Sequence, residues 1–170
     1  MKLGIACHNL AVIFNALMMK PVTIQQEEFT ITSDKSMMDV AAIHHWLSTE
    51  SYWAKGIPFD IVRDAFEHSY TAGILHQGQQ VAYARFITDY ATFAYLADVF
   101  VIPGYRGRGL SKALIGFMLD ASWTTRLRKI SLATLDAHDL YRQFGFTPVA
   151  LPERLMERAG TVTYAQQATQ

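Results

Sequence analysis

Residues 95–120 read YLADVFVIPGYRGRGLSKALIGFMLD, and this stretch decides the fold. From Thr92 to Ile102 the chain is almost wholly apolar, as expected of a strand buried on both faces. Pro103-Gly104 breaks it. From Gly109 to about Ser122, Leu110, Ala113, Leu114, Phe117, Met118 and Ala121 recur at helical spacing and form one apolar stripe. The unit is a buried strand, a glycine-rich turn and an amphipathic helix. Such a turn leaves backbone N–H groups free at the positive end of a helix, which makes an anion site. Gly107 and Gly109 permit positive φ and close backbone approach. Arg106 and Arg108 add positive charge there.

The pattern excludes two phosphate-binding turns. A mononucleotide loop needs GxxxxGK followed by Ser or Thr. Gly104 and Gly109 have that spacing, but Leu110 stands where the lysine must be. A dinucleotide turn needs GxGxxG. Gly107-Arg108-Gly109 begins it, but Lys112 occupies the third glycine position.

Outward from this unit, the chain reads as alternating strands and helices. Residues 21–28 are a polar connection, and Phe29–Thr32 alternates as a first strand. Asp34 or Ser36 caps a helix to about Leu47, with Val40, Ile43 and Leu47 on one face. Residues 48–58 are a loop, and a second helix covers about Phe59–Ser69. Strands at Thr71–His76 and Gln80–Thr88 flank a turn at Gln77-Gly78-Gln79. After the decisive unit come a strand at Lys129–Thr134 and a short helix, Asp136–Phe144, stopped by Gly145. Phe146–Val149 and Arg154–Glu157 read as two last short strands. The final residues read as a frayed tail. This is an α/β domain with one central sheet.

At 170 residues the chain has room for one domain. Apolar residues make up 51% and charged residues 18%, enough for a core and too little charge for a disordered chain. Fifteen basic and fifteen acidic side chains cancel, which argues against a nucleic-acid partner and gives no pull toward anionic membrane. Residues 1–19 begin with an apolar run, but His8, Asn9 and Asn15 interrupt it, so neither a secretory signal nor a membrane span is expected. The single cysteine, Cys7, excludes an internal disulfide framework and fits a reducing, cytoplasmic setting. No metal is expected: HExxH and CxxC are absent, and the adjacent His44 and His45 point about 100° apart on a helix.

Arg106-Gly107-Arg108-Gly109-Leu110-Ser111 resembles the R/Q-x-x-G-x-G/A signature of the GNAT superfamily of N-acetyltransferases. The larger run, an apolar strand and then V-x-P-G-Y-R-G-R-G-L, is similar to that family's coenzyme A motif. Ser111 departs from the usual Gly or Ala, but serine is small and its hydroxyl can bond a phosphate. Leu140-Tyr141-Arg142-Gln143-Phe144-Gly145-Phe146 resembles a second landmark, a tyrosine before a Gly-Phe pair. The resemblance covers roughly residues 29–158, with 1–28 as an N-terminal extension and 159–170 as a tail.

The resemblance implies a single GNAT-like domain with a mixed, mostly antiparallel sheet, a splayed parallel strand pair and flanking helices. The splayed pair would be Thr92–Ile102 and Lys129–Thr134. It implies acetyl-CoA as co-substrate: the pyrophosphate on the backbone of Arg106, Gly107, Arg108, Gly109, Leu110 and Ser111, the pantetheine arm along Val99 to Val101. Tyr141 matches the family's general acid. Its bland alternative is a half-buried helix aromatic.

Asp98 is the first candidate base, since an unpaired carboxylate on an apolar strand is costly. Its alternative is a structural carboxylate bonded to backbone or to an arginine such as Arg85. Asp136 reads as a helix cap, and His138 as a possible proton relay. Tyr52 and Trp53 on the first loop suit a cationic amine, or simply pin the loop. Asp89 and Tyr90 would close the other side. The implied acceptor is an amine of a small molecule or peptide, and the family often dimerises. A non-catalytic acyl-CoA-binding module and a transferase of longer acyl chains are the alternatives.

Overall fold

The computed structural model describes residues 20–160 together with Tyr164. The readings of residues 1–19, Cys7 among them, and of most of the tail fall outside the described residues. Two strands open the sheet: β1 (Thr23–Gln26) and β2 (Phe29–Thr32). Helices α1 (Val40–Thr49) and α2 (Phe59–Glu67) follow, then β3 (Tyr70–His76), β4 (Gln79–Thr88) and β5 (Phe93–Val101). Helix α3 (Leu110–Leu119), β6 (Lys129–Ser131) and α4 (His138–Arg142) complete the order. The six strands lie in sequence order in one open sheet. Every neighbouring pair is antiparallel except β5 and β6, which run parallel. The mixed, mostly antiparallel sheet with flanking helices is therefore as expected.

The sheet carries a core on each face. On one side α3 buries Leu110, Leu114, Ile115 and Met118 in a cluster with Ala82, Ala84, Phe86, Ala94 and Leu96. On the other, Ile43, Trp46 and Leu47 of α1 and Val62 and Phe66 of α2 gather with Tyr83 and Phe100. Trp46 stacks on Phe100, with centroids 4.0 Å apart and planes at 12°. Alternation along β4 and β5 feeds the two cores, as the period of two demands.

Several boundaries differ from the sequence reading. Residues 23–26 are a strand, although all four are exposed, because β1 pairs in register with β2 from Thr23↔Thr32 to Gln26↔Phe29. An exposed edge strand shows no apolar alternation, so nothing local marked it. Asp34 caps only a short 3-10 turn. The cap of α1 is Asp39, whose carboxylate accepts from the Ala41 and Ala42 N–H groups. The strand at 129 ends at Ser131, and α4 is five residues long. Neither 146–149 nor 154–157 forms a strand, and Pro152–Arg154 is a 3-10 turn. Pro148 and Pro152 lack the N–H that a ladder needs. β5 is not buried on both faces either. Ala94 and Leu96 are buried under α3, while Tyr95, Ala97, Asp98 and Val99 are half-exposed.

Candidate active site

A bulge in β5 explains that exposure. Arg85 pairs with Ala97 and Tyr83 with Phe100, so β5 spends one extra residue there, and Asp98 takes φ +54°. A bulge of this kind shifts which residues face each side. Before it, Ala94 and Leu96 join the α3 core; after it, Val99 and Val101 do, and Phe100 turns to the α1–α2 core.

The β5–β6 pairing stops just short of the bulge. It runs through Phe93↔Lys129, Ala94↔Ile130 and Tyr95↔Ser131, while β5 continues alone to Val101. The parallel pair therefore splays, and one edge of β5 is open from Leu96 onward. The Ile102 N–H donates to Val81 C=O at 3.0 Å on the β4 side. Strand alternation then points the Val99 and Val101 N–H groups to the open edge. Val101 C=O is on that edge too, where it accepts from Arg106 Nε at 3.0 Å.

The open edge leads into the glycine turn. Gly107 and Gly109 both sit at φ +77°, and Gly109 is the N-cap of α3. A Cβ at either glycine would meet no protein atom within 4 Å, so backbone conformation, not crowding, requires glycine. Among the described residues, the N–H groups from Gly107 to Lys112 find no acceptor; the next, Ala113, donates to Gly109 C=O at 3.0 Å. Leu110 is buried in the core and anchors the turn, and Ser111 stands half-buried in the first turn of α3.

Both arginine side chains have partners within the protein, and only that of Arg108 is a carboxylate. Arg106 is tied back to the strand. Arg108 turns away to pair with Glu28 in the β1–β2 turn, its guanidinium 4.9 Å from the Phe29 ring centroid and 5.7 Å from that of Tyr105. His76 completes the cluster, with Nε2 3.2 Å from Glu28 Oε2 and Nδ1 3.0 Å from the Tyr105 hydroxyl. Desolvation works against the Glu28 charge, but the hydrogen bonds and charges of Arg108 and His76 outweigh it and hold the carboxyl below its ordinary value. Glu28 and His76 pin the turn, and sequence reading missed both. Glu28 fell in what read as a polar connection, and no local pattern couples it to Arg108.

Beyond the bulge lies a cleft of about 580 Å³ between the loop after α1, the open edge of β5 and residues 133–137. Asp98 stands in its wall with both oxygens engaged. Oδ2 accepts from Arg85 Nε at 2.5 Å and Oδ1 from Trp53 Nε1 at 2.9 Å. The two charged side chains are only 12% and 16% exposed, and Arg85 also donates to Ser69 Oγ at 3.1 Å. The carboxylate pairs with Arg85, as its structural alternative required, and each oxygen already accepts one hydrogen bond.

Tyr52 reaches across the cleft, where its hydroxyl accepts from the Leu135 N–H at 3.3 Å. Tyr52 packs edge-on against Trp53, and Trp53 against Trp46. Tyr141 also lines this cleft, 8% exposed, edge-on to Phe146. Burial, then the nearness of Tyr52 and Asp136, pushes its phenol up to about 12, so it holds its proton at neutral pH. Its ring also borders a second cavity of about 610 Å³ between β6 and residues 145–150, where the exposed His138 lies.

Two further expectations are corrected. Asp89 does not face the cleft. Its carboxylate folds into its own turn and accepts from the Ala91, Thr92 and Phe93 N–H groups and the Thr92 hydroxyl. These donors hold it well below the usual carboxylate range. Asp136 is not a helix cap: Ala137 precedes α4, and its N–H donates to Thr134 Oγ1 at 3.1 Å.

Comparison with known proteins gives a consistent result. The description "Acetyltransferase (GNAT) family" fits residues 40–146. A solved structure of a GNAT-family protein from Xanthomonas campestris pv. campestris is 47% identical, with a TM-score of 0.79, over 83% of this chain and 99% of that one. A histone acetyltransferase of Glycine max is 30% identical over 73% of this chain, and the match spans 57% of that longer protein. A glucosamine-6-phosphate N-acetyltransferase from Arabidopsis thaliana shares the fold at 16% identity, with a TM-score of 0.51 over 82% of this chain and 98% of that one. This chain is a member of the GNAT family of acetyltransferases.

Proposed function

We propose that the protein is an acetyl-CoA-dependent N-acetyltransferase that moves the acetyl group to a primary amine of a small molecule or peptide. The observation that carries this reading is the continuity of the open edge of β5 with the unpartnered N–H groups of Gly107 to Lys112. A strand-like ligand tail with a pyrophosphate at one end fits that path. The backbone N–H groups, with the Ser111 hydroxyl, meet the phosphates. Val99 and Val101 offer strand-type hydrogen bonds to an amide-bearing arm.

The chemistry asks little of side chains. The Val99 N–H polarises the thioester carbonyl. The acceptor nitrogen forms a bond to the carbonyl carbon and the carbon–sulfur bond breaks. The Tyr141 phenol gives its proton to the departing sulfur, and the proton lost by the amine returns through cleft water. Asp98 acts as a positioning residue that holds Arg85 and Trp53 at the cleft wall. No helix among the described residues is long and apolar enough to cross a membrane. The single cysteine supports a reducing, cytoplasmic setting.

Isothermal titration with acetyl-CoA tests the first step, and no detectable binding would sink the reading. A thiol-release assay over an amine panel tests transfer. A non-catalytic acyl-CoA-binding module would bind and release no thiol; Tyr141 in the cleft wall favours the enzyme.

A further inference from the structure

Tyr52, Trp53, Ile87 and Leu135 are all large apolar side chains left exposed on the surface, and all four line the 580 Å³ cleft. An exposed apolar cluster gathered in one concavity marks a binding surface. The polar handles of the two aromatics are partly spent. The Trp53 N–H is given to Asp98, and the Tyr52 hydroxyl accepts from the Leu135 N–H. Tyr52 keeps its own hydroxyl proton to donate, and otherwise the two residues add ring surface to the cleft.

The charges reduce in the same way. Arg85 and Asp98 neutralise each other, and Arg85 is further held by Ser69. The one charged side chain of the lining left without an ion pair among the described residues is Asp136, which is exposed near Tyr141. Thr134 has its hydroxyl engaged by the Ala137 N–H.

We infer that the acceptor is a monoamine with an aromatic or bulky apolar body and no carboxylate. This rests on the transferase reading above and narrows its substrate. The ring packs against Trp53 and Tyr52, Asp136 draws in the ammonium group, and the neutral amine then faces the carbonyl held at Val99. An α-amino acid would bring its carboxylate toward Asp136 and Asp98 with no free cation to receive it. A polyamine would bring extra positive charges to a cleft with one unpaired carboxylate.

The test is a comparison of kcat/KM on the full chain at saturating acetyl-CoA, with phenethylamine, phenylalanine, ethylamine and spermidine. Phenethylamine and phenylalanine differ only in the carboxylate; phenethylamine and ethylamine differ only in the ring. The expected result is that phenethylamine exceeds each of the others by about tenfold or more, since like-charge contacts and lost ring burial each cost that much. Trp53→Ala should then raise KM for phenethylamine and leave KM for acetyl-CoA unchanged. Ile87→Ser, at an exposed position, gives the same readout if Trp53→Ala does not fold. Phenylalanine, ethylamine or spermidine matching phenethylamine would overturn the inference and leave the transferase reading standing. Acetyl-CoA binding with no turnover of any amine overturns both.

Discussion

Asp98→Asn separates a positioning carboxylate from a catalytic base. The asparagine keeps the shape and an acceptor for Trp53 Nε1, but leaves the Arg85 guanidinium without a counter-charge. Removing one partner of a fully buried pair costs about 3–5 kcal/mol. Here the side chains remain 12% and 16% exposed, so water relieves part of the penalty. An expected cost of about 2–3 kcal/mol corresponds to a fall in Tm of roughly 4–12 °C for a chain of this size. Arg85→Gln alone should cost a similar amount. The double variant should lie closer to wild type than the two single costs added, with a coupling above about 1 kcal/mol. Thermal denaturation of the four proteins reads this directly. The pH dependence of kcat should keep its shape in Asp98→Asn, while KM for the amine rises because Trp53 loses its charged anchor. Additive costs, or an unchanged Tm with kcat down by about a thousandfold, would refute the positioning role and restore Asp98 as the base.

Tyr141→Phe should lower kcat by about a hundredfold and leave acetyl-CoA affinity unchanged in titration calorimetry. Because its phenol is pushed up to about 12, the wild-type rate should show no alkaline loss from this group through pH 10; a fall centred near 10 would contradict that environment. Gly109→Val places a side chain at φ +77° and points it into space that no protein atom fills. It should abolish acetyl-CoA binding while costing only about 1–3 kcal/mol of stability, and retained binding would remove the turn from the phosphate site. Asp89 has a depressed pKa, so its stabilisation is present above the ordinary carboxylate pKa and is lost as pH falls. The Tm difference between wild type and Asp89→Ala should therefore shrink below about pH 4. A gap that stays constant to pH 3 would contradict its role in the turn.

The strand–turn–helix unit was legible because its determinants are local. Two glycines at positive φ, an apolar strand before them and a helical stripe after them lie within one short stretch. Tyr141 before Gly145-Phe146 is equally local, and its ring does line the cleft. The β3–β4 hairpin was legible from its turn, and the parallel β5–β6 pair from the resemblance.

The partners across the sheet were not legible. Asp98 read as an isolated carboxylate on an apolar strand. Only the β4–β5 register and the bulge show that it faces Arg85 and Trp53. Arg108 read as phosphate-binding charge, and only the folded β1–β2 turn supplies Glu28 to claim it. Asp89 read as a cleft residue, but its carboxylate folds back onto the N–H groups and hydroxyl of its own turn. The sequence by itself determined where the glycine turn forms, because turn dihedrals and helical periodicity are set by near neighbours. The tertiary structure alone decided which charges remain available around it, because a charged side chain finds its partner through register and loop closure between distant segments.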